Sequence, residues 1–180
     1  AELEELVQNK QWVQAQQRLQ SAAQQNPQTA ASPQWRILNS QVLAGQGKRQ
    51  EAIEVLQGLI QEFPELPEPY NNLAAISASQ EKWIEARDYL ELALKLRPSY
   101  AIASANLGEL YVRLGAKAYE EAAANTQLNQ RLYSNRAKYL LNLLKPQARG
   151  INSTVNPVSN SSTNTLEGKS SNGEGTPKNQ

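Results

Sequence analysis

The sequence predicts an all-α fold, a solenoid of about four helix-turn-helix units closed by a C-terminal capping helix, and three observations predict it. The first is the stretch from Pro67 to Pro98, PEPYNNLAAISASQEKWIEARDYLELALKLRP. Large residues at Tyr70, Leu73 and Leu90 fill the space between two antiparallel helices there, and Ala74, Ala86 and Ala93 are small enough for the backbones to close. The second is recurrence. A bulky residue, then a small Ala, then Pro twelve places after that Ala appears as Trp12, Ala15 and Pro27, as Ala52 and Pro64, and as Trp83, Ala86 and Pro98. A fourth copy runs Tyr119, Ala122 and Ser134, with the proline lost, and the steps from Ala15 to Ala52 to Ala86 to Ala122 are 37, 34 and 36 residues. The third is the apolar stripe Leu128, Leu132, Tyr139, Leu140, Leu143, Leu144, which continues at helical spacing beyond the last copy.

The elements follow in order. Residues 2–8 and 11–25 are predicted as the two helices of a first unit (about 1–31), with Trp12, Ala15 and Leu19 on the core side and only Leu3, Leu6 and Val7 as the apolar residues of its short first helix. Asn26 to Ser32 is expected to be a polar connection, and Pro33 to open the next helix, where its missing N–H costs nothing. In the second unit (about 32–66) Trp35, Leu38 and Val42 form the first helix, the segment Gly45 to Gly47 breaks it, and Ala52 to Glu62 forms the second. The third unit spans about 67–100. In the fourth (about 101–134) Leu107, Gly108 and Tyr111 repeat the places of Leu73, Ala74 and Ser77, Gly115 is expected to end the first helix, and Tyr119 to Ala122 to open the second. Residues 135–145 are expected to cap the last apolar face, which a solenoid cannot leave bare. From 146 to 180 the sequence turns to Asn, Ser, Thr, Gly and Pro, too poor in large aliphatics for a core, and is predicted to be a disordered low-complexity tail.

Composition bounds the function. About 145 residues suffice for one self-standing core, burying ~70% of the unfolded surface. A net charge of +1 and a mean hydropathy of −0.63 argue against a general nucleic-acid surface, and no apolar run approaches the ~20 residues of a membrane span. The chain has no Cys and no His, which removes thiol nucleophiles, disulfides, imidazole bases and the usual zinc ligands. No cofactor or metal is expected. The lack of any Met leads us to expect that something upstream of Ala1, a signal peptide or a longer segment, has been removed.

The unit from Tyr70 to Pro98 resembles the tetratricopeptide repeat (TPR), which takes ~34 residues. That resemblance implies a groove lined by the first helix of each unit, with inward positions at Arg36 and Ser40, at Asn71, Asn72 and Ala75, and at Ala105, Asn106, Glu109 and Arg113. Of these, Arg36, Asn71, Asn72, Asn106, Glu109 and Arg113 are the candidate peptide-binding residues. Asn72 and Asn106 stand 34 residues apart in equivalent places. A side-chain amide there offers donors and an acceptor to a peptide backbone; the alternative is that each bonds its neighbouring helix. The repeat proteins that grip chaperone C-termini use a Lys and Asn pattern of which only Asn72 is present, so that clamp is not expected. The run FPELPEPYNNLA from Phe63 to Ala74, with PSYA at 98–101 and ANLG at 105–108, further resembles signal-peptide-bearing TPR proteins of Gram-negative bacteria.

These readings lead us to expect a non-catalytic scaffold for a protein or extended peptide, in cell-envelope assembly or quality control, exported to the periplasm, with the cytoplasm as the alternative location. The alternative function is a helper or targeting domain of a larger envelope enzyme, the tail serving as linker. An enzyme built on Glu109, Glu120 and Glu121 is the third. The protein is expected to be a monomer or a weak homo-oligomer. Membrane association is conceivable only through the basic segment from Arg131 to Arg149, which holds five cations and no acid.

Overall fold

The computed structural model describes residues 2–145 of the chain. The predicted tail 146–180 lies outside the described residues. Nine α-helices make up the described part: α1 (Glu2–Gln8), α2 (Trp12–Gln25), α3 (Pro27–Ala31), α4 (Pro33–Gly45), α5 (Arg49–Glu62), α6 (Pro67–Ser79), α7 (Trp83–Leu96), α8 (Ala101–Ala124) and α9 (Gln130–Leu143). Three antiparallel pairs, α1/α2, α4/α5 and α6/α7, stack in sequence, and a fourth, α8/α9, follows.

Local chemistry sets the helix starts. Pro33 occupies the first turn of α4, and the Ser32 hydroxyl accepts from the Trp35 N–H at 3.3 Å. The same proline-after-cap arrangement explains a helix that the sequence was expected to lack. Asn26 accepts from Gln28 N–H at 3.1 Å with Pro27 next to it, so the expected polar connection winds into α3. Pro67 likewise occupies the first turn of α6, where Leu66 at the cap supplies no side-chain hydrogen bond. Before α9 Asn129 is left-handed at φ of 63°, and in the turns of the first three pairs Lys10, Gly47 and Glu81 are, at φ of 56°, 82° and 58°. Of the last three only Gly47 adopts that conformation without a steric cost; for Lys10 and Glu81 it is about 1–2 kcal/mol, met by tertiary packing.

Three buried clusters lie at the three junctions. Ala15, Leu19 and Val42 join the first pair to α4, and the Trp35 indole donates to the Leu19 carbonyl at 3.1 Å across the same junction. Leu43, Leu56, Leu59, Leu73 and Ile76 join the second pair to α6. Ala74, Ala86, Leu90, Ala93, Ala103 and Leu110 join the third pair to α8. Of the four alanines that marked the repeat, Ala15, Ala52 and Ala86 are fully buried, whereas Ala122 is only half-buried.

The fourth pair departs from the expected pattern. Gly115 does not end a helix: α8 runs unbroken for 24 residues, about 36 Å. A helical glycine costs about 1 kcal/mol against alanine, but the alanine-rich run after it favours helix. Leu140 of α9 packs beside it, and an added Cβ would stand at an ordinary contact distance, 3.5 Å from Leu140 Cδ1, so the site has room for an alanine. Ala116 and Ala123 of α8 and Ala137 of α9 are buried, and Tyr119 stacks on Tyr133 with ring centroids 6.3 Å apart. The partner of α8 is therefore α9, not a second helix starting at Tyr119. No break occurs at Ser134 and Asn135, and the expected cap at 135–145 is the second half of α9.

Gly45 makes a firmer point. A Cβ there would overlap the indole of Trp12, which lies flat against the end of α4. Gly45→Ala is expected to displace that indole and to cost about 1–3 kcal/mol in urea unfolding, as overpacked sites do. The same change at exposed Gly108, where nothing lies within 4 Å, is expected to be neutral or stabilising.

Candidate functional site

The first helices of successive pairs lie side by side, α1 against α4 and α4 against α6. Between α4 and α6 opens a hollow of about 510 Å³ lined by Ser40, Gln41 and Ala44 on one side, Asn72, Ala75 and Ser79 on the other, and Lys10, Trp12 and Arg49 at its rim. A second hollow of about 130 Å³ lies between α6 and α8, lined by Ala75, Ala78, Trp83, Asn106, Glu109 and Arg113. A third, of about 380 Å³, adds Glu81, Lys117, Glu120 and Leu141 to Trp83 and Arg113. Ala75 belongs to the first two hollows, and Trp83 and Arg113 to the last two, so the three form one track across α4, α6 and α8.

The six residues expected to bind peptide separate into three groups. Arg36 is not in the lining of any of these hollows. Its guanidinium lies over Gly58, 3.0 Å from where a Cβ would stand, and pairs with Glu62 at 2.9 Å, so it ties α4 to its own partner α5. The expectation placed it one helix face away because repeat register alone does not show that α5 carries a glycine and a carboxylate opposite it. Asn71 is corrected too: it is 6% exposed and lies beneath the track. Asn72, Asn106, Glu109 and Arg113 do line the hollows.

Within that last group the hydrogen bonds form a relay. Asn106 Nδ2 donates to Asn71 Oδ1 at 2.9 Å, linking α8 to α6. Asn71 Nδ2 reaches Asn72 Oδ1 at 3.5 Å, the limit of a useful bond. Asn72 Nδ2 ends the relay buried and without an acceptor. An unsatisfied donor of this kind costs about 1–3 kcal/mol. Asn106 thus fulfils the alternative reading, bonding its neighbouring helix, whereas Asn72 does not. Arg113 is held in place twice, by Glu109 at 2.9 Å and by the Trp83 ring, whose centroid is 5.8 Å from the guanidinium carbon. It forms a wall of the track with its charge already matched.

The carboxylates considered for catalysis are dispersed. Glu109 is engaged with Arg113, Glu120 lines the third hollow, and Glu121 is exposed. Among the described residues no cluster of carboxylates could hold a metal ion, and no helix is long and apolar enough to cross a membrane. Away from the track, the Tyr100 phenol is held above its ordinary pKa, by burial first and by Glu68 second, with Arg97 opposing both. Arg97 bonds Glu68 at 2.7 Å and lies over the Tyr100 ring, which fastens α6 to the start of α8.

Several lining residues escaped the sequence, among them Gln41, Ala44 and Ser79 on the walls of the first hollow and Lys10, Trp12 and Arg49 at its rim. Trp12 was assigned to the core, and half of it is; its exposed part forms the rim beside Ala44 and Gly45. Lys10 and Arg49 enter from the turn and the helix start that precede second helices, places that carry no inward-facing periodicity.

Comparison with curated proteins and with solved structures gives no match. A family model described as tetratricopeptide repeat matches residues 6–76, from the end of α1 through α5 and most of α6. Over that span the chain is similar to the tetratricopeptide repeat, and its stack of paired helices is an all-α fold of that type.

Proposed function

We propose that the chain is a non-catalytic scaffold that holds an extended peptide or protein segment along the track from α4 to α8. What supports this most is Asn72, whose Nδ2 is the one donor of the amide relay with no acceptor, at the wall of the largest of the three hollows. A peptide carbonyl in that hollow supplies the missing acceptor once the amide turns about χ2. The exchange gives up only the 3.5 Å contact from Asn71. Gln41 offers a further polar group, Ala44 and Ala75 leave room for a backbone, and the Ser40 and Ser79 hydroxyls donate to the Ile37 and Ile76 carbonyls. The rest of the lining is mainly apolar, with Trp12 and Ile76 beside the alanines, so an extended chain would seat small apolar side chains there and fix its backbone at Asn72.

The test uses the full chain and a degenerate pool of unstructured peptides, from which bound sequences are selected and measured by fluorescence anisotropy. Asn72→Ala is expected to weaken them about fivefold, the worth of one ordinary hydrogen bond, while changing the melting temperature little, because the loss of one unpaired buried donor is offset by freeing Asn71 Nδ2 from its 3.5 Å acceptor. Peptides held equally tightly by Asn72→Ala overturn the reading. Asn106→Ala is a poorer probe, because it also strands the Asn71 oxygen and lowers stability.

The setting we assign is the cell envelope, in assembly or quality control, and the support for it is the resemblance of residues 63–74 and the motifs after them to exported Gram-negative repeat proteins. Fractionation of the native cells decides it. Recovery with periplasmic markers supports the assignment, and recovery with cytoplasmic markers overturns it.

A further inference from the structure

We infer that the outer face of α9 docks on an anionic lipid surface. The helix is apolar on two sides. Its inner side packs on α8 through Tyr133, Ala137 and Leu140. On the other side Leu132, Tyr139 and Leu143 fall within about 40° of one another at 100° per residue, and Leu128 precedes them just before the helix. These four are 45%, 68%, 59% and 77% exposed in that order, an apolar ridge in water. Single exposed leucines need no explanation, but a stripe along one helix does.

The charge around the ridge points to its occupant. No Asp or Glu occurs from residue 122 to residue 145, while Arg131, Arg136, Lys138 and Lys145 do. Arg131, Lys138 and Lys145 make no ion pair among the described residues, and Arg136 lies over the Tyr119 ring at 5.6 Å. A second copy of the chain is a poor fit, because two-fold pairing of α9 with itself sets these cations against each other. The remaining chain is no better: residues 146–180 hold three basic and two acidic residues. A helical partner needs a trough, and the hollow that touches α9, at Leu141, opens on the side away from the ridge. A flat negative surface meets every feature. Leucines and a tyrosine enter the boundary between headgroups and acyl chains, and the flanking lysine and arginine side chains reach up to the phosphates.

The experiment is cosedimentation of the full chain with vesicles of phosphatidylcholine alone and of phosphatidylcholine mixed with phosphatidylserine. Binding to the mixed vesicles only, weakened by added salt, is the expected result. The pair Arg131→Glu and Lys138→Glu is expected to lower the partition coefficient about tenfold or more. The pair Leu132→Ser and Tyr139→Ser is expected to lower it comparably with unchanged far-UV circular dichroism and melting, since both residues face solvent. Asn72→Ala is expected to leave it untouched, which separates this inference from peptide holding. Equal binding to neutral vesicles, unchanged binding by either pair, self-association that the serine pair abolishes, or capture of soluble polyglutamate with no binding to vesicles would each overturn it, the last by giving the face to an acidic protein.

Discussion

Leu56→Ala is expected to lower the free energy of unfolding by about 2–5 kcal/mol, measured by urea titration of the helical circular dichroism signal. Leu56 is fully buried and belongs to the cluster of Leu43, Leu59, Leu73 and Ile76, which is the contact between the second pair and α6. In a stack each pair touches only its neighbours, so an interface loosened at one junction weakens everything that depends on it. The cavity also lies under the largest hollow, which Leu56 helps to line, and α4 has little freedom to collapse into it while Trp12 rests on Gly45. Val13→Ala is the control. Val13 is 66% exposed, and its loss is expected to change stability by less than about 0.5 kcal/mol. Equal effects from the two would mean that the junction is not packed as described.

Ala86→Leu is expected to cost about 1–3 kcal/mol by the opposite route, overfilling rather than emptying. Ala86 has no exposure and sits in the cluster with Ala74, Leu90, Ala103 and Leu110, where α6, α7 and α8 meet. Three additional heavy atoms must force those helices apart. Atoms that turn toward the hollow of about 130 Å³, which Ala86 borders with Trp83 and Arg113, find space there, and this keeps the cost from rising further. Ala124→Leu, at an exposed site near the end of α8, is expected to be nearly neutral. A thermal melt that fails to distinguish the two would contradict the assignment of Ala86 to the helix contact.

The helices of the first three pairs were legible because two signals agreed at every one of them. Large and small residues alternated at helical spacing, and a proline followed each second helix. The turns were legible only through the repeat. Gly47 advertises a left-handed residue, whereas Lys10 and Glu81 adopt the same conformation with side chains that give no sign of it. Gly115 shows the converse. It has the residue type of a turn and stands near the right interval, yet it lies inside a continuous helix against which Leu140 of α9 packs. Sequence offers the same letter for both uses, and only the packing of α9 separates them. α3 was missed because a capping Asn before a Pro looks like any polar loop when the helix it starts has so few apolar residues.

The candidate site was legible to the same depth. The repeat resemblance put Asn72, Asn106, Glu109 and Arg113 at inward positions, and the structure brings these four to the lining of the first two hollows. Register could not foresee that Arg36 would turn onto Gly58 and Glu62, or that Asn71 would be drawn between α6 and α8 by Asn106. Both depend on side chains more than twenty residues away in sequence. The orphaned Nδ2 of Asn72 was invisible for the same reason, since a missing partner is known only when all the neighbours are.

The most direct measurement is the side-chain amide spectrum of the full ¹⁵N-labelled chain during titration with a selected peptide. The account predicts that the Asn72 Nδ2 protons move downfield as they gain an acceptor, and that backbone shifts follow Ser40, Gln41, Ala75 and Ser79 along the track. An Asn72 amide that stays in place while shifts gather on α5 or α7 would contradict it.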